Sequence, residues 1–218
     1  MWPSDLASLS QPTVDQQAYA KEALELSRVC GLPGVRKRAY YELVCTHGFG
    51  QVATDDNVEY VDDAALELQS GSKSALSHAD IYRLVATRER LQRAWVNLAR
   101  APPAPSVVPC PLGQIPQQNL EPPQKALLEK CVAARNNSHQ RWMEQVVQAP
   151  LFQDGLLDPL SGLQGLMDIE WQEHGLCVGC VGARKEFWEA EMGKIWGKLD
   201  LWLGLASSAE DRKDEKTK

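Results

Sequence analysis

The chain has 218 residues, of which 44% are hydrophobic, and a formal net charge of -6. This hydrophobic content is enough for a buried core in one large or two small domains, which excludes a disordered protein. The acidic balance disfavours nucleic acid as the default partner, because phosphate binding uses an excess of Lys and Arg on one face. No apolar run approaches the roughly 20 residues of a membrane span, and the first residues do not resemble a signal peptide. We therefore expect an intracellular protein, in the cytoplasm or nucleus.

Two helices are predicted in the N-terminal region. Thr13-x-x-Gln16 is typical of a capping box, and apolar residues follow at helical spacing as far as Gly31, which is a stop signal. Pro33 suits the first turn of a second helix, from about residue 34 to residue 45. The pattern predicts a helical hairpin, in which the thiols of Cys30 and Cys45 pack as small hydrophobic groups.

Acidic residues and turn formers are frequent in residues 48–73, which predicts a surface loop with a short helix near residues 62–68. Ser77-x-x-Asp80 is a second capping-box pattern, and it begins a third helix that extends to about residue 100. The predicted buried stripe of this helix consists of Ile81, Leu84, Val85, Leu91, Trp95 and Leu98. Eight of the 13 prolines lie in residues 101–123, which predicts an irregular linker that carries Cys110.

Three further helices are predicted in the C-terminal half. The first covers about residues 123–148, with a weak point at residues 136–138, where two Asn and a Ser interrupt it. Asp158 and Pro159 are typical of an N-cap followed by a first-turn proline, and they begin a short helix. From Glu186 a longer helix is expected, with one apolar face made of Trp188, Met192, Ile195, Leu199 and Trp202, and with Gly204 as its end. Because no stretch alternates apolar and polar residues between turn signals, the predicted class is all-α.

A Cys-x-x-Cys pair, Cys177 and Cys180, precedes that last helix. The spacing allows two thiolates to bind one metal ion from a tight turn, in which Gly175, Gly179 and Gly182 would relieve backbone strain. The hypothesis is a structural zinc ion held by Cys110, Cys131, Cys177 and Cys180, a set of four thiolates that fills the coordination shell.

Several alternatives to this site remain open at the level of sequence. His174 or His139 would replace one of the cysteines, or Cys131 is a buried apolar thiol and no metal binds. A thiol-disulfide oxidoreductase is a further reading of the Cys-x-x-Cys pair, although the preceding residues lack the strand-then-helix pattern of thioredoxin-like proteins.

No motif of a known catalytic site is present: the sequence has no His-Glu-x-x-His, no Gly-x-Ser-x-Gly and no phosphate-binding loop. We therefore expect no enzymatic activity. Arginines between residues 83 and 100 are a possible phosphate-contacting surface, which keeps a nucleic-acid-binding zinc module in transcriptional regulation as the alternative function. The tryptophans of the C-terminal half are expected in the core.

Three stretches in order resemble the C-terminal region of BTB/POZ domain proteins that are abundant in mushroom-forming fungi. They are GLPGVRKRAYYELV, LSHADIYRLVATRERLQRAWV, and DPLSGL followed by GLCVGC and RKEFWEAEMGKIWGKLDLWLGL. In that family the hairpin closes the BTB fold, and cysteines recur at places similar to the four above, which supports their pairing. The BTB core has no counterpart before Thr13, so we expect an outer apolar face of the hairpin to be partly exposed.

The resemblance implies a protein-protein interaction or adaptor module that binds other proteins or further copies of itself, and no membrane. The expected organisation has four parts: a helical region over residues 1–100 related to the closing helices of a BTB domain, a Pro-rich linker over 101–122, a Cys-rich helical region over 123–206, and a charged tail over 207–218.

Overall fold

A computed structural model describes residues 19–45 and 76–205. Within these residues the chain forms eight α-helices and no strand, which confirms the all-α prediction. The helices are α1 (Ala20–Val29), α2 (Pro33–Cys45), α3 (His78–Ala99), α4 (Pro122–Asn136), α5 (Ser138–Trp142), α6 (Pro150–Leu157), α7 (Pro159–Asp168) and α8 (Val178–Trp202). The predicted helix start at Thr13, the loop over 48–73 and the charged tail lie outside the described residues. None of the helices in the described ranges has the length and apolar character needed to cross a membrane.

The described residues divide into two compact units. The first consists of residues up to Glu89 together with those from Lys198, and the second runs from Arg90 to Gly197. The four-part organisation predicted from the sequence remains a prediction.

Helices α1 and α2 form the expected hairpin in the first unit. Gly31 adopts a φ of 66° and so allows the tight reversal, in which the amide of Leu32 donates to the carbonyl of Ser27 at 2.9 Å. On α1 the small side chains Ala20 and Ala23 are buried with Leu24 and Ser27, whereas Leu26 and Val29 are exposed. The expectation of a partly exposed apolar face is thus confirmed. The packing prediction is confirmed for Cys45 but wrong for Cys30, which is exposed, because it lies one residue past the end of α1.

Helix α2 is buried over nine consecutive residues, from Lys37 to Cys45. Its apolar periodicity alone does not predict this, since the run includes charged side chains. Arg38 and Glu42 form an ion pair one turn apart, and Lys37 pairs with Asp200 at 2.7 Å. Pairing is what makes burial of these charges tolerable, because an unpaired buried charge costs several kcal/mol.

The capping box at the start of α3 is confirmed. The Ser77 hydroxyl accepts from the amide of Asp80 at 3.2 Å, and the Asp80 carboxylate accepts from the amide of Ser77 at 3.3 Å. The same carboxylate is buried and accepts from the hydroxyl of Tyr40 at 2.5 Å and from Arg28 at 2.7 Å. Burial alone would raise the pKa of Asp80, but hydrogen bonds from Ser77, Tyr40 and Arg28 outweigh it and hold this pKa far below its ordinary value.

The buried face of α3 differs from the predicted one. Leu84, Leu91 and Trp95 are buried as predicted, but Ile81 and Val85 are largely exposed. The stripe instead continues through small and polar residues, Thr87 and Ala99, because the spacing of 3.6 residues per turn places them on the same face as Leu84 and Leu91.

In the second unit, residues 101–121 are irregular as predicted, apart from two short 3-10 turns at Pro111–Gln114 and Gln117–Asn119. The predicted helix over 123–148 is interrupted: α4 ends at Asn136, α5 begins at Ser138, and a π-helical turn follows at Met143–Val147. The interruption falls on the predicted weak point. Asn and Ser favour such ends because their side chains compete with the helix for backbone hydrogen bonds.

Helices α6 and α7 pack closely through glycines, against the ring of Trp95. A Cβ on Gly155 would lie 2.2 Å from the Cε2 atom of Trp95, and one on Gly162 would lie 2.7 Å from the Cα atom of Gly155. The indole nitrogen of Trp95 donates to the carbonyl of Phe152 at 2.9 Å. Asp158 caps α7 as predicted, since its side chain accepts from the amide of Ser161 at 3.0 Å.

The last helix is longer than predicted. It begins at Val178, not at Glu186, so Gly179 and Gly182 are helical and only Gly175, with a φ of 87°, needs the freedom of glycine. Its predicted apolar face is confirmed for Trp188, Met192, Ile195 and Leu199, all of which are buried. It is wrong for Trp202, which is half-buried, because the fully buried position at this end is Leu203. Gly204 has a φ of 63° and ends the helix as predicted.

Candidate metal centre

Four cysteines from distant parts of the sequence meet in the second unit. Cys110, Cys131, Cys177 and Cys180 bring their Sγ atoms within 4.8 Å of one another. Cys110 lies in the irregular segment just before a 3-10 turn, and Cys131 lies on α4. Cys177 immediately precedes α8, and Cys180 lies in its first turn. The structure therefore brings together all four cysteines that the sequence singled out.

The spacing of the sulfur atoms suits a single metal ion. The Sγ atoms of Cys110 and Cys177 are 3.8 Å apart, and those of Cys131 and Cys180 are 3.5 Å apart. A tetrahedral zinc site with Zn–S bonds of about 2.3 Å places its sulfur atoms about 3.8 Å apart. A disulfide would need about 2.05 Å, and all four cysteines are free. The cluster could thus hold one ion between four thiolates.

The turn that presents Cys110 is packed onto the start of α8. The amide of Gly113 donates to the carbonyl of Cys110 at 3.0 Å, which closes the 3-10 turn that contains Pro111. A Cβ on Gly179 would lie 3.2 Å from the Cγ atom of Pro111. Gly179, the glycine within Cys-x-Gly-Cys, therefore allows the turn with Pro111 to approach α8 closely; it is not needed for a bend in its own backbone.

Helix α4 contributes Cys131 and is otherwise exposed to a large extent. Cys131 is its only buried residue, and Leu127 and Val132 are exposed. The helix lies close to the loop before α8: a Cβ on Gly175 would be 3.1 Å from the Cβ of Ala134. Cys131 is thus the one fully buried side chain that α4 contributes to the unit.

Backbone and side-chain donors surround the sulfur atoms. The amide of Cys177 donates to the Sγ atom of Cys131 at 3.4 Å. Arg135 donates from Nη1 to the Sγ atom of Cys180 at 3.6 Å and from Nη2 to the carbonyl of Val108 at 2.6 Å. Together with the N-terminus of α8, whose dipole favours negative charge, these donors stabilise thiolates.

A second arginine, Arg184, is buried near the same cluster and lies over the ring of Trp171, with 5.1 Å from its Cζ atom to the ring centroid. Burial and the charge of Arg135 lower the pKa of Arg184 to about 10, while the charges of Cys180 and Cys131 oppose this change. Arg184 is therefore charged at neutral pH. Sequence reasoning missed both arginines, although each lies four residues after a cysteine, Arg135 after Cys131 and Arg184 after Cys180, which places it one helical turn from the sulfur.

The thiols differ in their acidity when no ion is bound. Burial raises the pKa of Cys180, and the neighbouring thiols Cys110 and Cys131 raise it further. Burial also raises the pKa of Cys131. For Cys110 the effect of burial is outweighed by the backbone of Gly113 and by the thiols of Cys180 and Cys177, so its pKa lies below its ordinary value. A cation bound between the sulfur atoms would lower the pKa of the buried thiols, because a thiol that coordinates a metal ion is deprotonated outright.

Three tryptophans pack beside the cluster. Trp142 stacks on Trp171 with 5.5 Å between ring centroids, and Trp188 lies 6.2 Å from Trp142 and 6.0 Å from Trp171. The indole nitrogens of Trp142 and Trp171 donate to the carbonyls of Ala99 and Leu166, respectively. The prediction that the tryptophans of the C-terminal half belong to the core is confirmed for Trp171 and Trp188, but it is wrong for Trp196, which is half-buried.

The histidines proposed as alternative ligands lie outside the cluster. His139 is exposed, and His174 is half-buried with its ring at the edge of Trp171. In the described ranges the only group of three or more potential ligands with their ligating atoms in close reach of one another is the cysteine set.

Comparison with known proteins found no match: no family model, no curated protein and no solved structure is similar to this chain.

Proposed function

We propose that this chain is a non-enzymatic protein-interaction module whose C-terminal half is held together by one structural zinc ion. The observation that carries the proposal is the convergence of four Sγ atoms within 4.8 Å. Four thiolates complete a tetrahedral shell and leave no position for a reacting water, as in structural zinc sites. The soft donor set also excludes Mg²⁺ and Ca²⁺, which take oxygen ligands.

The charges around the sulfur atoms favour a divalent ion. Four thiolates with one divalent cation carry a charge of about -2 by simple addition. Arg135 and Arg184 offset this charge. With four neutral thiols the buried guanidinium group of Arg184 would instead lose the negative charge near it, which is costly.

An ion at this site would also join segments that are distant in sequence. Cys110 and Cys177 are separated by 67 residues, and closing a loop of that length costs about 3.7 kcal/mol in chain entropy. Binding of structural zinc contributes roughly 10 to 16 kcal/mol in small peptides. The stabilisation therefore exceeds the cost of closure, and the ion would hold the irregular segment, α4 and α8 together.

The interaction role rests on the outer surface of the hairpin, where Leu26, Val29 and Leu32 are exposed at intervals of three residues. Val29 is 86% exposed. An apolar stripe of this kind is typical of a surface that binds protein, and it agrees with the resemblance to the region that follows the BTB core, in which the hairpin packs against other elements. We therefore extend the proposal to an adaptor-like module related to that region, with self-association as its simplest form.

Elemental analysis of freshly purified, reduced protein tests the metal. We expect about one zinc per chain, and loss of that zinc in Cys131→Ser. A protein that contains no stoichiometric metal would contradict this part of the proposal.

Sedimentation over a range of concentrations tests the interaction surface. We expect concentration-dependent association that Leu26→Asp abolishes and that Glu25→Gln, at an exposed neighbouring position, leaves unchanged. A monomer at all concentrations, together with no binding of a hydrophobic dye, would count against the surface.

A further inference from the structure

The four cysteines of the cluster are not equally accessible. Cys131, Cys177 and Cys180 are buried and lie on helices or at a helix start, with exposed fractions of 0%, 3% and 2%. Cys110 is only partly buried and lies in the irregular Pro-rich segment. It is therefore the one thiol of the cluster that a solvent-borne reagent can reach without opening a helix.

A groove is lined in part by Cys110. It has a volume of about 280 Å3 and lies between the Pro-rich segment and α4, with walls that include Pro105, Pro109, Cys110, Gly113, Leu128 and Val132. Water occupies about 30 Å3 in the liquid, so the groove has room for a small oxidant as well as for solvent. The Sγ atom of Cys177 lies 3.8 Å from that of Cys110.

We propose that Cys110 is an oxidation site, at which peroxide entering this groove converts Cys110 and Cys177 into a disulfide and thereby disassembles the four-thiolate cluster. This inference rests on the proposed metal site for its regulatory consequence, the release of the ion, but not for the order in which the thiols react. The site makes the module sensitive to peroxide, because a cluster with two of its thiolates lost cannot complete a tetrahedral shell.

The chemistry balances without any further reagent. The Cys110 thiolate attacks one peroxide oxygen, the O–O bond breaks, hydroxide leaves, and Cys110 becomes a sulfenic acid. The Cys177 thiolate then attacks the Cys110 sulfur, the S–O bond breaks, and a second hydroxide leaves. Two thiolates lose one electron each, and one peroxide gains both.

Cys110 lies in the irregular segment, whereas Cys177 immediately precedes α8, so a shift of the turn that carries Cys110 closes the gap without moving a helix. Forming the bond requires the two sulfur atoms to approach from 3.8 Å to about 2.05 Å. The segment before α4 has no regular hydrogen-bonded structure apart from its short turns, so it can supply this movement. The other close pair, Cys131 and Cys180, lies at 3.5 Å but is fully enclosed between two helices, out of reach of the oxidant.

The test uses the full chain with Cys30→Ser, which removes an exposed thiol outside the cluster. The protein is treated with limiting hydrogen peroxide, remaining thiols are alkylated, and peptides are mapped by mass spectrometry, while a chromophoric chelator records release of metal. Val132→Trp narrows the groove, and Leu127→Trp is the matched control, since both residues are about equally exposed on α4 but only Val132 lines the groove.

We expect the disulfide between Cys110 and Cys177 to be the first oxidised species, with release of metal at the same rate. Val132→Trp should slow its formation severalfold, and Leu127→Trp should not. A first disulfide between Cys131 and Cys180, or equal rates in the two tryptophan variants, would overturn the inference. If the purified protein contains no metal, the proposed function fails. The order in which the disulfides form and the effect of Val132→Trp can still be measured in that protein, and these two results alone decide whether Cys110 is the oxidation site.

Discussion

Removal of the metal should release α4 while α8 stays folded. Helix α4 has 15 residues and a single buried side chain, Cys131. Isolated helices of about this length are marginally stable in water, and burial of one small side chain adds at most about 1 to 2 kcal/mol. On α8, by contrast, Trp188, Met192, Ile195 and Leu199 are buried, and four such side chains contribute roughly 6 to 12 kcal/mol as an upper estimate. The ion is thus decisive for α4 and secondary for α8.

Hydrogen exchange read by mass spectrometry measures both helices in one experiment. After chelation, peptides from residues 122–136 should lose nearly all protection, with an opening free energy that falls to about 0 to 1 kcal/mol, as for frayed segments. Peptides from residues 186–197 should keep most of theirs. Cys131→Ala should reproduce the pattern without a chelator. The reasoning is refuted if α4 keeps its protection in protein that contains no metal, or if both helices lose protection together.

Four substitutions test the remaining energetics. Trp188→Ala removes a fully buried indole and should cost about 3 to 5 kcal/mol in urea unfolding, whereas Trp202→Ala, at a half-buried position, should cost clearly less. Asp80→Asn should lower the free energy of unfolding at pH 7 by about 2 to 3 kcal/mol, somewhat less than for a fully enclosed pair because Arg28 is 39% exposed. The folded pKa of Asp80 lies below its unfolded value, so this stabilisation is present above about pH 4 and is lost as the pH falls further. The free energies of unfolding of the wild-type protein and of Asp80→Asn should therefore converge at low pH. Arg184→Met should weaken metal binding yet stabilise the metal-free protein, by about 1 to 4 kcal/mol, as measured by metal titration and by unfolding after chelation.

The helix ends were predictable because their signals are local. Gly31, Gly204 and the Ser77-Asp80 pair each end or begin a helix through hydrogen bonds within a few residues. The cysteine cluster was predictable for a related reason, since Cys-x-x-Cys is a short pattern and only a few cysteines remain to complete the set. Features that are determined by residues close in sequence can be predicted without knowledge of the tertiary structure.

Burial was less predictable, because it depends on which elements meet. Val29 fits an apolar stripe and is exposed, while Ser27 is buried and donates to the carbonyl of Leu24 at 2.7 Å. Trp202 has the spacing of the apolar face of α8, but it is the last residue of the helix and is only half-buried. Gly155 gives no signal in the sequence, although its missing side chain is what admits the ring of Trp95. Each of these outcomes is decided by a neighbour distant in sequence.

The positions of Arg135 and Arg184 were also not predicted, because charged side chains are ordinarily expected at the surface. Arg184 is 5% exposed, and Arg135 reaches a sulfur. Their common place, one turn after a cysteine, means that α4 and α8 each carry a ligand together with a positive charge. The same helix segment therefore places the thiolate and the charge that offsets it.

This pairing of cysteine and charge would add to the effect of the bonds that a bound ion makes. In the metal-bound state the two guanidinium groups face a net negative cluster, and each favours the thiolate form of its neighbour. Without the ion the buried thiols tend to keep their protons, because burial raises the pKa of Cys131 and Cys180. Arg135 and Arg184 then lose the charge that they offset, and Arg184 is only 5% exposed. Loss of metal thus removes the cross-link and leaves a buried positive charge uncompensated, and both effects act where α4 meets the start of α8.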